Sequence, residues 1–232
     1  MIEHAIDKRT VIIATEHKRH DLLVKKIKLH LDGYTVVRAK SPDDITIELL
    51  DKIDPLYIFF PHWSHIIPSK VYKKYECVIF HMTDLPFGRG GTPLQNLIVR
   101  GYKETMLSAF RCVQEIDSGP IYKKLPLSLN GNAEDILQRT SILMEKVIIE
   151  ILLKNLQPIP QEGQATLFAR RNKHDGDISE ISSLEKVYDY IRMLDADGYP
   201  PAFLVSKNLL FEFTDAVLEN NEIIARVKIR NQ

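Results

Sequence analysis

The sequence has few cysteines, no excess of charge and no long apolar run. Its 232 residues include two cysteines, and both lie in apolar stretches. We therefore expect two buried thiols in a reducing compartment rather than a disulfide framework. Acidic and basic residues balance at 31 each, whereas binding to nucleic-acid phosphates requires clustered lysine and arginine. The charge balance thus predicts a protein without a nucleic-acid partner.

Two further absences concern membranes and secretion. No run approaches the ~18 apolar residues that a membrane-spanning helix needs. The opening residues, MIEHAIDKRT, lack the apolar core of a signal peptide. We therefore expect a cytoplasmic protein with no membrane partner. With 44% apolar and 27% charged residues, the composition is that of an ordinary globular protein.

Short apolar runs alternate with amphipathic segments in the first third of the chain. Buried strands are predicted at Thr10–Ala14, Leu56–Phe60 and Cys77–Phe80. Ser41 is predicted to cap one continuous helix that runs to Ile53. This alternation predicts an α/β fold with a doubly wound, mostly parallel sheet.

The rest of the chain predicts further strands, three more helices and a small β-rich end. The elements expected are strands at 105–113 and 121–129, helices at Pro93–Val99, 133–156 and Leu184–Leu194, and three short strands within 202–229. The predicted regions are a Rossmann-like domain over 1–160, a loop and helix that contribute to a substrate site over 161–201, and a small β appendage over 202–232. The exposed strands of this appendage could pair across a homodimer.

Two stretches hold the residues suited to chemistry: HMTDLPFGRGGTPLQ at 81–95 and EIDSGPIY at 115–122. His81 follows a predicted strand, and open α/β sheets bind ligands at the carboxyl ends of their strands. The glycines and prolines after it predict a shaped loop. Asp117 supplies a carboxylate in a second turn. A strand-end histidine taken alone is more often structural, but an imidazole and a carboxylate together can transfer a proton.

Together the two stretches resemble the formyltransferase family that uses N10-formyltetrahydrofolate. The matching residues are His81, Thr83, Leu85, Pro86, Arg89, Gly90, Pro93, Gln95, Asp117, Ser118 and Gly119. The resemblance implies a Rossmann-like formyltransferase fold, N10-formyltetrahydrofolate as the co-substrate and no metal. It also implies that His81 is the general acid or base, and that Asp117 is its partner or orients the water or amine.

One position departs from the family pattern, because Ile79 stands where the family has an asparagine at the formyl oxygen. Losing one oxyanion donor can slow a reaction by ~10²–10³-fold. Three alternatives stay open. A backbone N–H or His81 takes over, a side chain such as Thr83 or Asn96 has moved in, or the enzyme is slow or inactive. Asp84 is also new in this loop and could bind the substrate ammonium.

The resemblance also indicates where the folate donor binds, because the stretch PHWSHIIP at 61–68 lines the pterin slot in the family. The predicted donor-site residues are Trp63, His65, Ile67, Pro86, Arg89 and Gly90. A zinc site at His62 and His65 is the alternative, but no third ligand stands at a recognisable spacing. Arg89 could contact an anion or brace its loop through hydrogen bonds to carbonyls.

A basic cluster, Arg170, Arg171 and Lys173, follows later in the chain. Such clusters are most often solvated faces, but arginine also matches phosphate geometry. The cluster could therefore hold the pyrophosphate of a nucleotide-linked sugar. Tyr199 and Phe203 could stack on its base or could lie in the core. This segment resembles sugar-modifying family members, and the chain after residue 201 is too short for the tRNA-binding barrel of methionyl-tRNA formyltransferase.

These observations predict formyl transfer to the amino group of a nucleotide-linked sugar. The expected acceptor is a UDP-linked 4-amino-4,6-dideoxy sugar, as in pseudaminic acid biosynthesis. Glycinamide ribonucleotide or another small amine is the first alternative. A module that binds folate or a nucleotide without turnover is the second alternative, and a hydrolase that releases formate is the third.

Overall fold

The computed structural model describes residues 9–232. The prediction that the first eight residues contain no signal peptide therefore lies outside the described part of the chain. Within residues 9–232, no helix has the length and apolar character needed to cross a membrane.

The secondary structure follows the predicted alternation. The strands are β1 (Arg9–Ala14), β2 (Tyr34–Ala39), β3 (Tyr57–Phe60), β4 (Cys77–His81), β5 (Arg89–Gly90), β6 (Glu104–Arg111), β7 (Ile121–Ser128), β8 (Leu167–Phe168), β9 (Ala202–Ser206), β10 (Leu209–Glu219) and β11 (Glu222–Asn231). The α-helices are α1 (Asp21–His30), α2 (Ile47–Ile53), α3 (Ser69–Tyr72), α4 (Pro93–Ile98), α5 (Ala133–Lys154) and α6 (Leu184–Leu194).

The chain divides into two compact units, neither of which is continuous in sequence. The first unit comprises the described residues up to Arg89, Met106–Leu125 and Thr140–Ala165. The second unit comprises Gly90–Thr105, Pro126–Arg139 and Thr166–Gln232. The division into 1–160, 161–201 and 202–232 stays a prediction about domains, and the two units do not follow those boundaries.

The first unit is built on a six-stranded sheet in the order β2-β1-β3-β4-β6-β7. The pairs β1–β2, β1–β3 and β3–β4 are parallel, and β4–β6 is antiparallel. Strand residues such as Ile13 and Phe59 are fully buried, because a parallel sheet is covered on both faces. The predicted α/β fold with a mostly parallel sheet is confirmed.

The predicted continuous helix from Ser41 to Ile53 is wrong. Pro42–Ile45 forms a 3-10 helix, and the Asp44 carboxylate accepts a hydrogen bond from the Ser41 N–H at 3.0 Å. Thr46 then takes an extended conformation, and its hydroxyl accepts from the Leu49 N–H to cap α2. An N-cap residue has an extended backbone, so it cannot continue the helix that precedes it. The Thr46 hydroxyl stabilises this conformation by accepting from a backbone N–H of the helix that follows.

The second unit contains the C-terminal antiparallel sheet, in the order β11-β10-β9, which confirms the predicted β appendage. Helix α6 has the predicted bounds, and the Ser183 hydroxyl caps it by accepting from the Lys186 N–H. A cluster formed by Ile178, Ile191 and Ala202 is the core of this part of the unit.

Candidate active site

His81 is the last residue of β4 and is 7% exposed. Its Nε2 atom lies 2.8 Å from the carbonyl oxygen of Gly88. A carbonyl can only accept a hydrogen bond, so this contact requires the proton on Nε2. In the neutral ring, Nδ1 is therefore the atom that is able to take up a proton.

Asp117 lies beside that nitrogen, with its Oδ2 atom 3.6 Å from His81 Nδ1. Its backbone is left-handed, with φ of 48°. The turn approaches β6 so closely that a Cβ on Gly119 would lie 1.8 Å from the carbonyl oxygen of Arg111. Burial, together with the Asp117 charge, raises the pKa of the nearby Cys112 thiol to about 11. The structure thus brings the two predicted proton-transfer residues together.

Gln161 is a residue of this site that sequence reasoning missed. Its Nε2 atom donates to the carbonyl oxygens of both Asp117 and Gly119, each at 2.8 Å. Its Oε1 atom accepts from Arg89, at 3.2 Å from Nε and 2.6 Å from Nη2. Arg89 therefore braces a loop, which is one of its two predicted roles, but it does so through a side-chain amide. Only the polar character of the segment after residue 160 hinted at this contact.

The two other predicted polar residues of the His81 loop have their own partners. The Thr83 hydroxyl, which is fully buried, donates to the Gly88 carbonyl at 3.3 Å. The Asp84 carboxylate pairs with Lys124 Nζ at 2.5 Å. The same ammonium group donates to the Leu85 carbonyl. Thr83 and His81 thus share the Gly88 carbonyl as their acceptor, and the charge of Asp84 is balanced by Lys124.

The residues predicted for the pterin slot lie on or beside the apolar core of the first unit. Trp63 and Ile67 pack partly buried against a core cluster, as does Ile79. The two β4 residues Ile79 and His81 face the same side of the sheet, because side chains alternate along a strand. His65 is exposed and faces Glu16 at 3.5 Å.

Pro86, also predicted for the donor site, is half-buried and follows a cis peptide bond.

In the second unit, the predicted oxyanion candidate Asn96 holds together two segments of backbone. Its amide nitrogen donates to the carbonyls of Gly91, Thr92 and Ala169 at 2.9–3.1 Å. Both amide protons are therefore engaged within this unit. Gly90 lies where the same two backbone segments come close together, since a Cβ there would lie 2.6 Å from the Phe168 carbonyl oxygen.

The three residues of the predicted basic cluster differ in their surroundings within the second unit. Arg170 and Lys173 are exposed. Arg171 donates to the Asp175 carbonyl at 2.7 Å and lies over the Tyr190 ring.

The two aromatic residues predicted to stack on a base differ in exposure. Phe203 is 8% exposed and pairs with β10, so it belongs to the core of the C-terminal sheet. Tyr199 is half-buried.

His62 pairs with a histidine other than His65. Its Nδ1 atom lies 3.0 Å from Nε2 of the fully buried His20, whose Nδ1 lies 2.8 Å from the Ser141 hydroxyl. Burial, together with the neighbouring His17 and Arg19, lowers the pKa of His20 to about 3. Across residues 9–232, no group of three or more histidine, cysteine or acidic side chains is arranged to hold a metal ion.

Comparison with known proteins gives two strong similarities. A family model described as the C-terminal domain of methionyl-tRNA formyltransferase matches residues 173–230. The solved methionyl-tRNA formyltransferase from Clostridium thermocellum is 45% identical, with a TM-score of 0.94, and the match covers 97% of this chain and 100% of that chain.

Two further similarities are more distant. The methionyl-tRNA formyltransferase of Thermodesulfovibrio yellowstonii is 28% identical over 177 residues, which are 73% of this chain and 58% of that protein. The chain spans less than two thirds of the length of the first curated relatives it matches. HypX from Aquifex aeolicus, solved in complex with tetrahydrofolic acid, is 16% identical with a TM-score of 0.74, covering 92% of this chain and 38% of that chain. This last likeness shows the fold alone.

Proposed function

The chain belongs to the formyltransferase family that includes methionyl-tRNA formyltransferase, and on that premise we propose that it formylates the amino group of methionyl-tRNA. The predicted enzyme class, an N-formyltransferase, is confirmed with the family. N10-formyltetrahydrofolate is the formyl donor in this proposal. A cytoplasmic location, where charged tRNA is found, is part of the same proposal.

The predicted acceptor, a nucleotide-linked amino sugar, is wrong, and so is the expectation of no nucleic-acid partner. The relatives with substantial identity are named methionyl-tRNA formyltransferases, and the family model of their C-terminal domain matches residues 173–230. Net charge misled the prediction because it sums over the whole chain, whereas a tRNA contact depends on local charge. The length of the tail misled it as well, because the matched C-terminal segment begins well before residue 202.

The pair of His81 and Asp117 carries the proposal. Formyl transfer makes a bond from the acceptor nitrogen to the formyl carbon and breaks the bond from that carbon to N10. The acceptor nitrogen loses a proton and N10 gains one. His81 Nδ1 is placed to take the first proton and to return it, and Asp117 lies 3.6 Å away, where positive charge on the ring develops. Such a general acid–base group typically contributes ~10²–10⁴-fold.

The oxyanion must be stabilised without the family asparagine. Thr83 donates its hydroxyl proton to Gly88, and Asn96 has both amide protons engaged in its own unit. Two of the three alternatives then remain, and we propose the one in which a backbone N–H or His81 serves the formyl oxygen rather than the one in which the enzyme is slow or inactive.

Release of tetrahydrofolate from N10-formyltetrahydrofolate tests the proposal. The acceptors to compare are methionyl-tRNA, uncharged tRNA, free methionine and a UDP-linked 4-amino sugar. We expect release that depends on methionyl-tRNA. Release that requires the amino sugar, or release that needs no amine, would overturn the proposed acceptor.

A further inference from the structure

We propose that Gln161 is a positioning residue that holds the Asp117 carboxylate against His81. This inference rests on the proposed function, in which these two side chains transfer protons. Gln161 lies beyond α5, far from either residue in sequence, and is half-buried. It contacts the Asp117 turn through two backbone carbonyls, so we infer that it acts through Asp117 rather than on a substrate.

The partners of Gln161 allow one orientation of its amide. Arg89 offers only donors, so the oxygen Oε1 must face the guanidinium. The carbonyls of Asp117 and Gly119 only accept, so Nε2 must face the turn. With both carbonyls at 2.8 Å, the two protons of the amide nitrogen are each used once.

The turn needs such an anchor because of its backbone. Asp117 has a φ of 48°, a conformation that residues other than glycine rarely adopt. The bonds to the carbonyl of Asp117 itself and to that of Gly119 hold the turn on both sides of Ser118. The carboxylate projects from the residue whose carbonyl is held, so a shift of this backbone moves Oδ2 relative to His81 Nδ1.

Gln161 is also connected to the Nε2 side of the His81 ring. The Gly88 carbonyl accepts from His81 Nε2 at 2.8 Å, and the next residue, Arg89, binds Gln161. A closed circuit therefore runs from His81 through Gly88, Arg89, Gln161 and Asp117 back to His81. Gln161 is the link that joins the imidazole side of the pair to the carboxylate side.

Two variants of Gln161 separate this role from general packing. Gln161→Ala removes the contacts on both sides. Gln161→Glu keeps the size and the contact with Arg89, but places a carboxylate oxygen against the two carbonyls. The matched control is Gln157→Ala, since Gln157 is an exposed glutamine of the same connection whose amide donates to the nearby Asn155 carbonyl.

We expect both Gln161 variants to lower kcat by up to about 100-fold, the scale of a 1 Å misplacement, with KM for the donor little changed. Gln157→Ala should match the wild type. In an Asp117→Asn background, Gln161→Ala should cause no further loss, because residues that act through one another are not additive. A full additional loss in that background would overturn the inference.

Nuclear magnetic resonance of the His81 ring gives a readout that does not require turnover. The signal is assigned by its loss in His81→Gln, in wild-type protein without substrates. We expect Gln161→Ala to move the ring signal in the same direction as Asp117→Asn, and Gln157→Ala to leave it in place. An unmoved signal in Gln161→Ala would overturn the positioning role. A moved signal in a protein that formylates no amine would support the positioning role and overturn the proposed function.

Discussion

His81 and Asp117 come from separate loops, yet the Nδ1 atom of the histidine lies 3.6 Å from Oδ2 of the aspartate. The Gly88 carbonyl accepts from the other ring nitrogen, so the carboxylate faces the nitrogen that is able to take up a proton.

Asp117→Asn should keep the size of the side chain and remove its charge beside the imidazole. We expect kcat to fall by at least ~10²-fold, the lower end of what a general acid–base group contributes. The measurement is steady-state release of tetrahydrofolate. Glu115→Gln, which removes an exposed carboxylate from the same turn, is the control and should be neutral. Wild-type kcat in Asp117→Asn would rule out a role for this carboxylate.

Asp84→Asn should leave the KM for the acceptor unchanged, because the Asp84 carboxylate is already paired with Lys124. The side chain of Asp84 is 58% exposed, and exposed ion pairs contribute only ~0–1 kcal/mol. Asp84→Asn should therefore produce only a small change in Tm. A large rise in acceptor KM with Asp84→Asn alone would instead assign this carboxylate to the substrate ammonium.

Gly119→Ala should disturb the Asp117 turn, since the added Cβ would meet the Arg111 carbonyl oxygen at 1.8 Å. The backbone must shift, and we expect kcat to fall by up to about 100-fold together with a lower Tm. Ser118→Ala removes only an exposed hydroxyl bond to the Glu115 carbonyl and serves as the control. If Gly119→Ala kept wild-type kcat, the turn would not need its present position.

His20 should make the protein less stable in mild acid. Burial lowers its pKa from 6.5 to about 3, so between these pH values the unfolded chain holds a proton that the folded chain does not. The free energy of unfolding then decreases as pH falls from 6.5, by up to ~1.4 kcal/mol per pH unit.

Urea unfolding between pH 7.5 and pH 5 measures this slope. We expect His20→Gln to be less stable at neutral pH but to show a shallower slope than the wild type. His30→Gln, at an exposed position, should keep the wild-type slope. Parallel slopes for wild type and His20→Gln would show that His20 titrates normally in the folded protein.

Local patterns predict much of the fold. Helix α6 has the expected bounds because its apolar residues recur with a helical period and Ser183 caps it at the residue where that period begins. The strand that ends at His81 follows from a short apolar run before a glycine-rich loop. The sequence does not predict the break at Thr46, because a threonine can lie in the interior of a helix or cap its start. Which of the two it does depends on which backbone N–H groups lack another partner.

The candidate site was less predictable, because its contacts join distant segments. The polar character of the segment after residue 160 does not indicate which partners the Gln161 amide has. The sequence offers Asn96 as a candidate for the formyl oxygen, yet the carbonyl of Ala169, 73 residues away, is one of its acceptors. The substrate that accepts the formyl group could not be derived from the motifs or the composition. An amine on a sugar and an amine on an aminoacyl-tRNA would require the same proton transfer from His81.

The most direct test of the account follows a labelled formyl group from N10-formyltetrahydrofolate into methionyl-tRNA, with wild type and His81→Gln compared at equal concentration. We expect formylmethionyl-tRNA with the wild type and a rate at least ~10²-fold lower with the variant. Label that never enters methionyl-tRNA while the donor binds, or equal rates for the two proteins, would contradict the proposed function.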